Sequence, residues 1–237
     1  MKNLALGFLF IYSAAAATLS DTGGVKGSVR DSSGKVIPGI IRVFISHALP
    51  VGAIKRAAPP VQTGPQVTAR FADKEGNFSV GNLAPGVYIA CAAASTPGYL
   101  DPCQWASSAP TFTITAGQIV PNLKIALAPG AVVPIRVNDS AQKSLKQKDE
   151  AVDGELQVQA VTSTGHHYHA VIVAQDDKGR DHSITVPYGM PVSFQVFSPR
   201  LTVSESSGKL FAPGGLTVTI PPGTVPAPLI LTITGAK

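Results

Sequence analysis

The sequence predicts an all-β chain built as two tandem β-sandwich modules behind an N-terminal export signal. Three observations point there. Of 237 residues, 23 are Gly and 20 are Pro, and only 14% are charged, against ~25% in ordinary globular chains. Short apolar runs recur along the chain, each bounded by Gly, Pro, Asn, Asp or Ser, the punctuation of strands and turns. No stretch keeps apolar residues at the 3.6-residue period of an amphipathic helix. The hydrophobic fraction of 44% suffices for packed cores and excludes disorder by composition.

In chain order, Lys2 supplies a positive start, residues 4–17 carry no charge, and Ala15 and Ala17 satisfy a small-x-small cleavage rule. This reads as a secretory signal peptide over residues 1–17, too short to span a bilayer. The first module is expected over 23–128, with strands at 25–30, 40–46, 67–71, 78–80, 87–94, 111–115 and 123–128. About seven short strands in ~105 residues is the pattern of a sandwich. Residues 47–65, rich in Pro and Ala, read as a long exposed insert. Pro129-Gly130 marks a boundary, and 130–237 repeats the style. Its strands are expected at 132–137, 155–161, 168–175, 183–186, 192–197, 216–220 and 229–234, with a charged, mobile loop at 139–154.

Cys91 and Cys103 are the only cysteines. An even count in an exported chain reads as a disulfide. Their spacing is too long for a C-x-x-C metal or redox pair, and no His lies nearby.

Two motifs carry a family resemblance. Gly27-Ser-Val29-Arg-Asp31-Ser-Ser-Gly34-Lys-Val-Ile-Pro38-Gly39 resembles the first strand and turn of the carboxypeptidase regulatory-like domain. Asp73-Lys-Glu-Gly76-Asn-Phe78-Ser-Val80-Gly-Asn-Leu83-Ala-Pro85-Gly86-Val-Tyr88 is similar to that family's second signature. Asp and Gly set tight turns, Phe78 and Val80 alternate inward, and Tyr88 anchors the strand after Pro85-Gly86. The resemblance covers about 23–128. It implies a transthyretin-like (prealbumin-like) Greek-key sandwich, within a wider group that includes carbohydrate-binding, starch-binding-like modules. The insert at 47–65 departs from the family's compact spacing. In the second half, Asp176-x-x-Gly179 followed by Val186 and Gly189 repeats the offsets of Asp73-x-x-Gly76, Leu83 and Gly86. That makes 130–237 a candidate degenerate second copy.

Several functions are excluded. The net charge is +5, but the densest basic cluster, Lys143, Lys146 and Lys148, runs into Asp149, Glu150 and Asp153. With no aromatic RNA-binding motif or Arg-rich tract, nucleic acid is not an expected partner. No His has Glu three residues on, and there is no His-Glu-x-x-His or Gly-x-Ser-x-Gly, so the family's name does not bring a peptidase or hydrolase with it. The tail Ile233-Thr-Gly-Ala-Lys237 also lacks the ending of transthyretin-like hydroxyisourate hydrolases.

Two local features remain. In His166-His167-Tyr168-His169, a strand puts His167 and His169 on one face about 6.6 Å apart, a pair able to hold a transition metal weakly. His182 is the obvious third ligand. The hairpin turn at 176–179 is expected to place it opposite Val173 or Ala174, ~13 Å from His169, so no metal cofactor is expected. Tyr99 and Trp105 flank the disulfide loop and could form a small aromatic platform for a sugar, or Trp105 could plug the end of a sandwich. Lys26 and Asn122 could form an isopeptide bond only with a buried acid between them, and Glu75, in a turn, is poorly placed. The sequence therefore reads as an exported, non-catalytic structural or interaction module at the cell envelope or outside it. Its expected partner is a protein or polysaccharide at the cell surface. The alternative is a carbohydrate-binding module using Trp105 and Tyr99, and the third reading a metal-dependent enzyme.

Overall fold

The computed structural model describes residues 22–49, 63–105, 109–139, 156–162, 167–206 and 216–236. The signal segment, residues 50–62 of the insert, residues 140–154 of the charged loop and residue 155 of the strand expected after it lie outside them. Within them the chain is two β-sandwiches, and no helix is long and apolar enough to cross a membrane.

The first sandwich comprises β1 (Gly23–Asp31), β2 (Ile41–Ala48), β3 (Thr63–Phe71), β4 (Asn77–Leu83), β5 (Gly86–Ala94), β6 (Tyr99–Leu100), the single helical turn α1 (Pro102–Trp105), β7 (Thr111–Ile114) and β8 (Ile119–Pro129). One sheet has the order β4-β1-β8-β6 and faces a second, β3-β2-β5-β7. The alternation read in the sequence is what fills the space between them. Val25 and Val29, Ile41, Val43 and Ile45, Phe78 and Val80 all point inward and are buried. Tyr88 is fully buried, and its hydroxyl donates to the Ala84 carbonyl at 2.7 Å, so the ring's polar end is satisfied.

Both motif turns do the work their residues suit. The Asp31 carboxylate accepts from the Ser33 hydroxyl at 2.7 Å and from the Lys35 and Ser33 amides at 2.9 and 2.8 Å, and these bonds hold its pKa below the ordinary carboxylate value. The Asp73 carboxylate accepts from the Asn77 amide at 2.7 Å, while Gly76 takes φ +73°. A β-carbon on Gly76 would lie 2.6 Å from the Val29 carbonyl oxygen, so glycine is required there by both conformation and space.

The second sandwich comprises β9 (Ala131–Asn138), β10 (Gln157–Thr162), β11 (His167–His169), β12 (Val171–Asp176), β13 (Gly179–Val186), β14 (Pro191–Phe197), β15 (Leu201–Glu205), β16 (Leu216–Thr219) and β17 (Leu229–Ala236). Its sheets run β12-β13-β9-β17-β15 and β11-β10-β14-β16. Superposing the orders matches β13-β9-β17 to β4-β1-β8, and β11-β10-β14-β16 to β3-β2-β5-β7. The first and last long strands pair in parallel in both, β1 with β8 and β9 with β17. The short strands β6 and β15 both lie antiparallel to that last strand. The two sandwiches thus share one topology, and β12 is the described strand with no counterpart in the first.

Four elements differ from the sequence reading. The run 168–175 is not one strand. After His169 the chain leaves the sheet of β10, the Ala170 amide donates to the Val158 carbonyl at 2.8 Å, and Val171 joins β13 in the other sheet. The switch lets Tyr168 bury beside Ala160 while β12 covers the edge of β13. Strands β6 and β15 and helix α1 were not anticipated, each being too short to show a period.

His182 also departs from expectation. It lies opposite Ile172, not Val173 or Ala174, because a bulge at Val173 shifts the register by one. Its other neighbour is Ile135, and it is buried on the core side, 5% exposed, with neither ring nitrogen hydrogen-bonded. Burial, with Arg180 nearby, lowers its pKa, and Asp181 opposes the shift only in part. A neutral imidazole without partners costs about 1–3 kcal/mol of desolvation, so His182→Leu should melt higher than the parent. Because the folded pKa is depressed, the native His182 contribution is present above the unfolded value near 6.5 and is lost as pH falls through the folded value. The stability gap between His182→Leu and the parent should therefore widen from pH 7.5 to pH 5 in calorimetry. A constant gap would refute this assignment.

Candidate functional site

The site is the junction between the sandwiches. Strand β8 ends at Pro129 and β9 begins at Ala131, leaving Gly130 as the link. The Gly130 amide donates to the Gly98 carbonyl at 2.8 Å, and the Gly98 amide donates to the Thr185 hydroxyl at 3.1 Å. A β-carbon on Gly130 would lie 2.6 Å from the Thr185 methyl and 2.8 Å from the Leu100 side chain. Glycine thus lets the two modules close on each other.

A second connection runs through the disulfide. Cys91 on β5 is bonded to Cys103 on α1, with 5.6 Å between their α-carbons. Asp101 starts the helical turn in the way its chemistry suits: its carboxylate accepts from the Cys103 amide at 2.8 Å, and its carbonyl accepts from the Gln104 and Trp105 amides at 3.1 and 3.0 Å. Pro102 follows at the first helical position, where its missing N–H costs nothing. The turn aims Trp105 out of the first module and onto the core of the second. There its ring stacks on Tyr168, with centroids 3.6 Å apart and planes 29° from parallel. The Tyr168 hydroxyl donates to the Gln104 carbonyl.

Around this clamp lies a cleft of about 350 Å³ whose lining includes Tyr99, Asp101, Gln104, Trp105, His167 and His169. The two candidate groups read from the sequence, the aromatic pair and the histidine pair, therefore meet in one place. Trp105 gives one face to Tyr168 and is only partly exposed, while Tyr99 packs against the first core. His167 and His169 are exposed on the outer face of β11, with Tyr168 between them turned inward. His182 lies in the opposite sheet. Among the described residues, one group of three metal-capable side chains comes together: Cys91, Asp101 and Cys103. Both sulfurs are held in the disulfide, so it offers one carboxylate rather than a thiolate site. Lys26 and Asn122 are both exposed, without the burial an isopeptide bond needs.

Asp101, Gln104 and Tyr168 were missed as site residues. For Asp101 the signal was present in Asp101-Pro102, a helix-start pair. For Tyr168 nothing local names a partner 64 positions away.

Burial pushes the Asp101 carboxyl up to about 6, against the two amides that favour its charge. Burial and the Asp101 charge push the Tyr168 hydroxyl up to about 12. The sign for Asp101 is that of a raised pKa: its favourable contribution is full below the unfolded value of 3.8 and is lost as pH rises through about 6. That interval corresponds to about 2–3 kcal/mol. Asp101→Asn keeps a good capping oxygen without the charge. It should be more stable than the parent at pH 7.5 and no more stable at pH 4, measured by thermal unfolding. Equal stability at pH 7.5 would contradict a buried charge here.

No family model matches the chain, and no curated protein matches it significantly. Membership in the carboxypeptidase regulatory-like family is thus not shown, although the sandwich that the resemblance implied is present. Solved structures with some likeness include a Streptococcal ancillary pilin, 15% identical with TM-score 0.40 over 90% of this chain and 63% of that one. The Bacillus anthracis TIE protein is 10% identical with TM-score 0.33, over 90% of this chain and 34% of that one. The shaft pilin SpaA from Lactobacillus rhamnosus GG is 7% identical with TM-score 0.30, over 91% and 98%. The chain spans about a third of the TIE protein and just under two thirds of the ancillary pilin.

Proposed function

We propose that this is an exported, non-catalytic structural module that works through protein contacts at the cell envelope or outside it. Residues 23–128 form one unit, akin to the carboxypeptidase regulatory-like family, and 130–237 a second of the same topology. The observation that supports this most is the clamp itself. Trp105, which the sequence offers as a sugar platform, stacks instead on Tyr168 and joins the two sandwiches, while the disulfide ties its helical turn to β5. A joint of this kind suits a spacer that transmits position rather than a reaction centre. Fractionation of expressing cells, with N-terminal sequencing of the recovered chain, tests it. The protein should appear outside the cytoplasm and begin near Thr18. Cytoplasmic protein that retains Met1 would overturn the proposal.

A second reading, polysaccharide binding, is favoured by one observation: Tyr99 and Trp105 line the same cleft as Asp101, Gln104 and two imidazoles. Retention on insoluble polysaccharide that is lost in Tyr99→Ala would support it. No retention on any polysaccharide would retire it.

A further inference from the structure

Strand β12 stands apart from the rest of the molecule. It is the strand without a counterpart in the first module, and it ends the five-stranded sheet among the described strands. All six of its residues are exposed. Three consecutive large apolar side chains, Val171, Ile172 and Val173, are 60%, 47% and 54% exposed. Edge strands are normally blunted by charge, proline or brevity. Here the bulge at Val173 adds twist but leaves those side chains in solvent. The hairpin is held firmly from the other side: Arg136 on β9 binds Asp176 at 2.8 Å and Asp181 at 3.1 Å, so the edge is presented in a fixed position.

We propose that β12 is a self-association edge, and that its occupant is β12 of a second copy of this chain. Residues 170–174 read Ala-Val-Ile-Val-Ala, a palindrome. In an antiparallel pair centred on Ile172, each large apolar side chain meets one of its own kind: Val171 with Val173, and Ile172 with itself. The charges agree with that direction. The strand has an acidic end, Asp176 and Asp177, and no charged residue at its Val171 end. Antiparallel pairing keeps the two acidic ends apart, whereas parallel pairing would stack like with like. The contact is isologous and closes on itself as a dimer, joining two five-stranded sheets into one of ten through main-chain hydrogen bonds and cross-strand apolar pairs.

The proposal rests on reading the chain as an interaction module, and its test is independent of where the protein is exported. Sedimentation equilibrium of the disulfide-intact mature chain should show a reversible dimer. Ile172→Lys should weaken it at least tenfold while leaving the melting transition in place. Ile172→Cys gives a second readout that survives any folding defect in the lysine variant. Across the dyad, facing α-carbons lie about 4.5–5.5 Å apart, within reach of a disulfide, and the described chain has no free thiol to compete. Mild oxidation should therefore link Ile172→Cys into dimers and leave Lys178→Cys monomeric. A chain that stays monomeric at high concentration would overturn the proposal. So would a dimer indifferent to Ile172→Lys, or an edge that captures another exported protein and never itself.

Discussion

Replacing Trp105 with alanine should cost about 2–4 kcal/mol, below the 3–5 typical of fully buried large aromatics because the ring is only partly buried. The loss has two sources. The ring packs against the second core, where it meets Tyr168, and its removal leaves that surface wet. The stack on Tyr168 at 3.6 Å adds the pairing term that aromatic rings contribute beyond area, about 0.5–1.5 kcal/mol. The effect should fall on the second module, although the residue belongs to the first. If the parent unfolds in one transition, Trp105→Ala should split or broaden it, lowering the second module's midpoint by on the order of 10 °C. Tyr168→Phe is the matched control. It keeps the stack, loses only the bond to the Gln104 carbonyl, and should cost about 1 kcal/mol. A Trp105→Ala protein that melts like the parent would mean the ring is a free surface platform, which is what a sugar-binding role would require.

The sequence showed the sandwiches well where the chemistry is local. Phe78 and Val80 alternate on a strand, Asp73 and Gly76 close the turn before them, and Tyr88 follows Pro85-Gly86. Each is settled within a few residues, and each is found in place. The cysteine pair was legible for a different reason: a count of two leaves one possible intrachain bond. The junction was not legible, since it depends on pairing Trp105 with Tyr168 across two modules. The break at Ala170 was hidden because apolar residues continue from Tyr168 through Ala174, and a period cannot report that successive residues belong to different sheets. His182 misled in a related way. The hairpin register was counted without the bulge at Val173, and nothing local marks a polar residue as core-facing when its apolar neighbours Ile135 and Ile172 come from other strands.

Removing the disulfide should have the other large effect, and its consequence should reach beyond the loop it closes. Closing a loop of twelve residues' separation is worth about 3 kcal/mol in the chain-entropy account. If that were all, Cys91→Ala/Cys103→Ala and Trp105→Ala would be additive. The geometry says otherwise. Cys103 and Trp105 sit on the same helical turn, and the bond to β5 is what aims that turn at the second module. Once the bond is absent, the turn loses its tie to β5 and Trp105 is held by the Asp101 cap, its stack on Tyr168 and the Tyr168–Gln104 hydrogen bond, so part of its contribution should already be lost. The triple variant should therefore be less destabilised than the sum of the two changes, with a coupling of at least 0.5 kcal/mol. Chemical denaturation of the four proteins in the cycle measures this directly. Strict additivity would show that the disulfide stabilises the first module alone and that the Trp105–Tyr168 clamp holds without it.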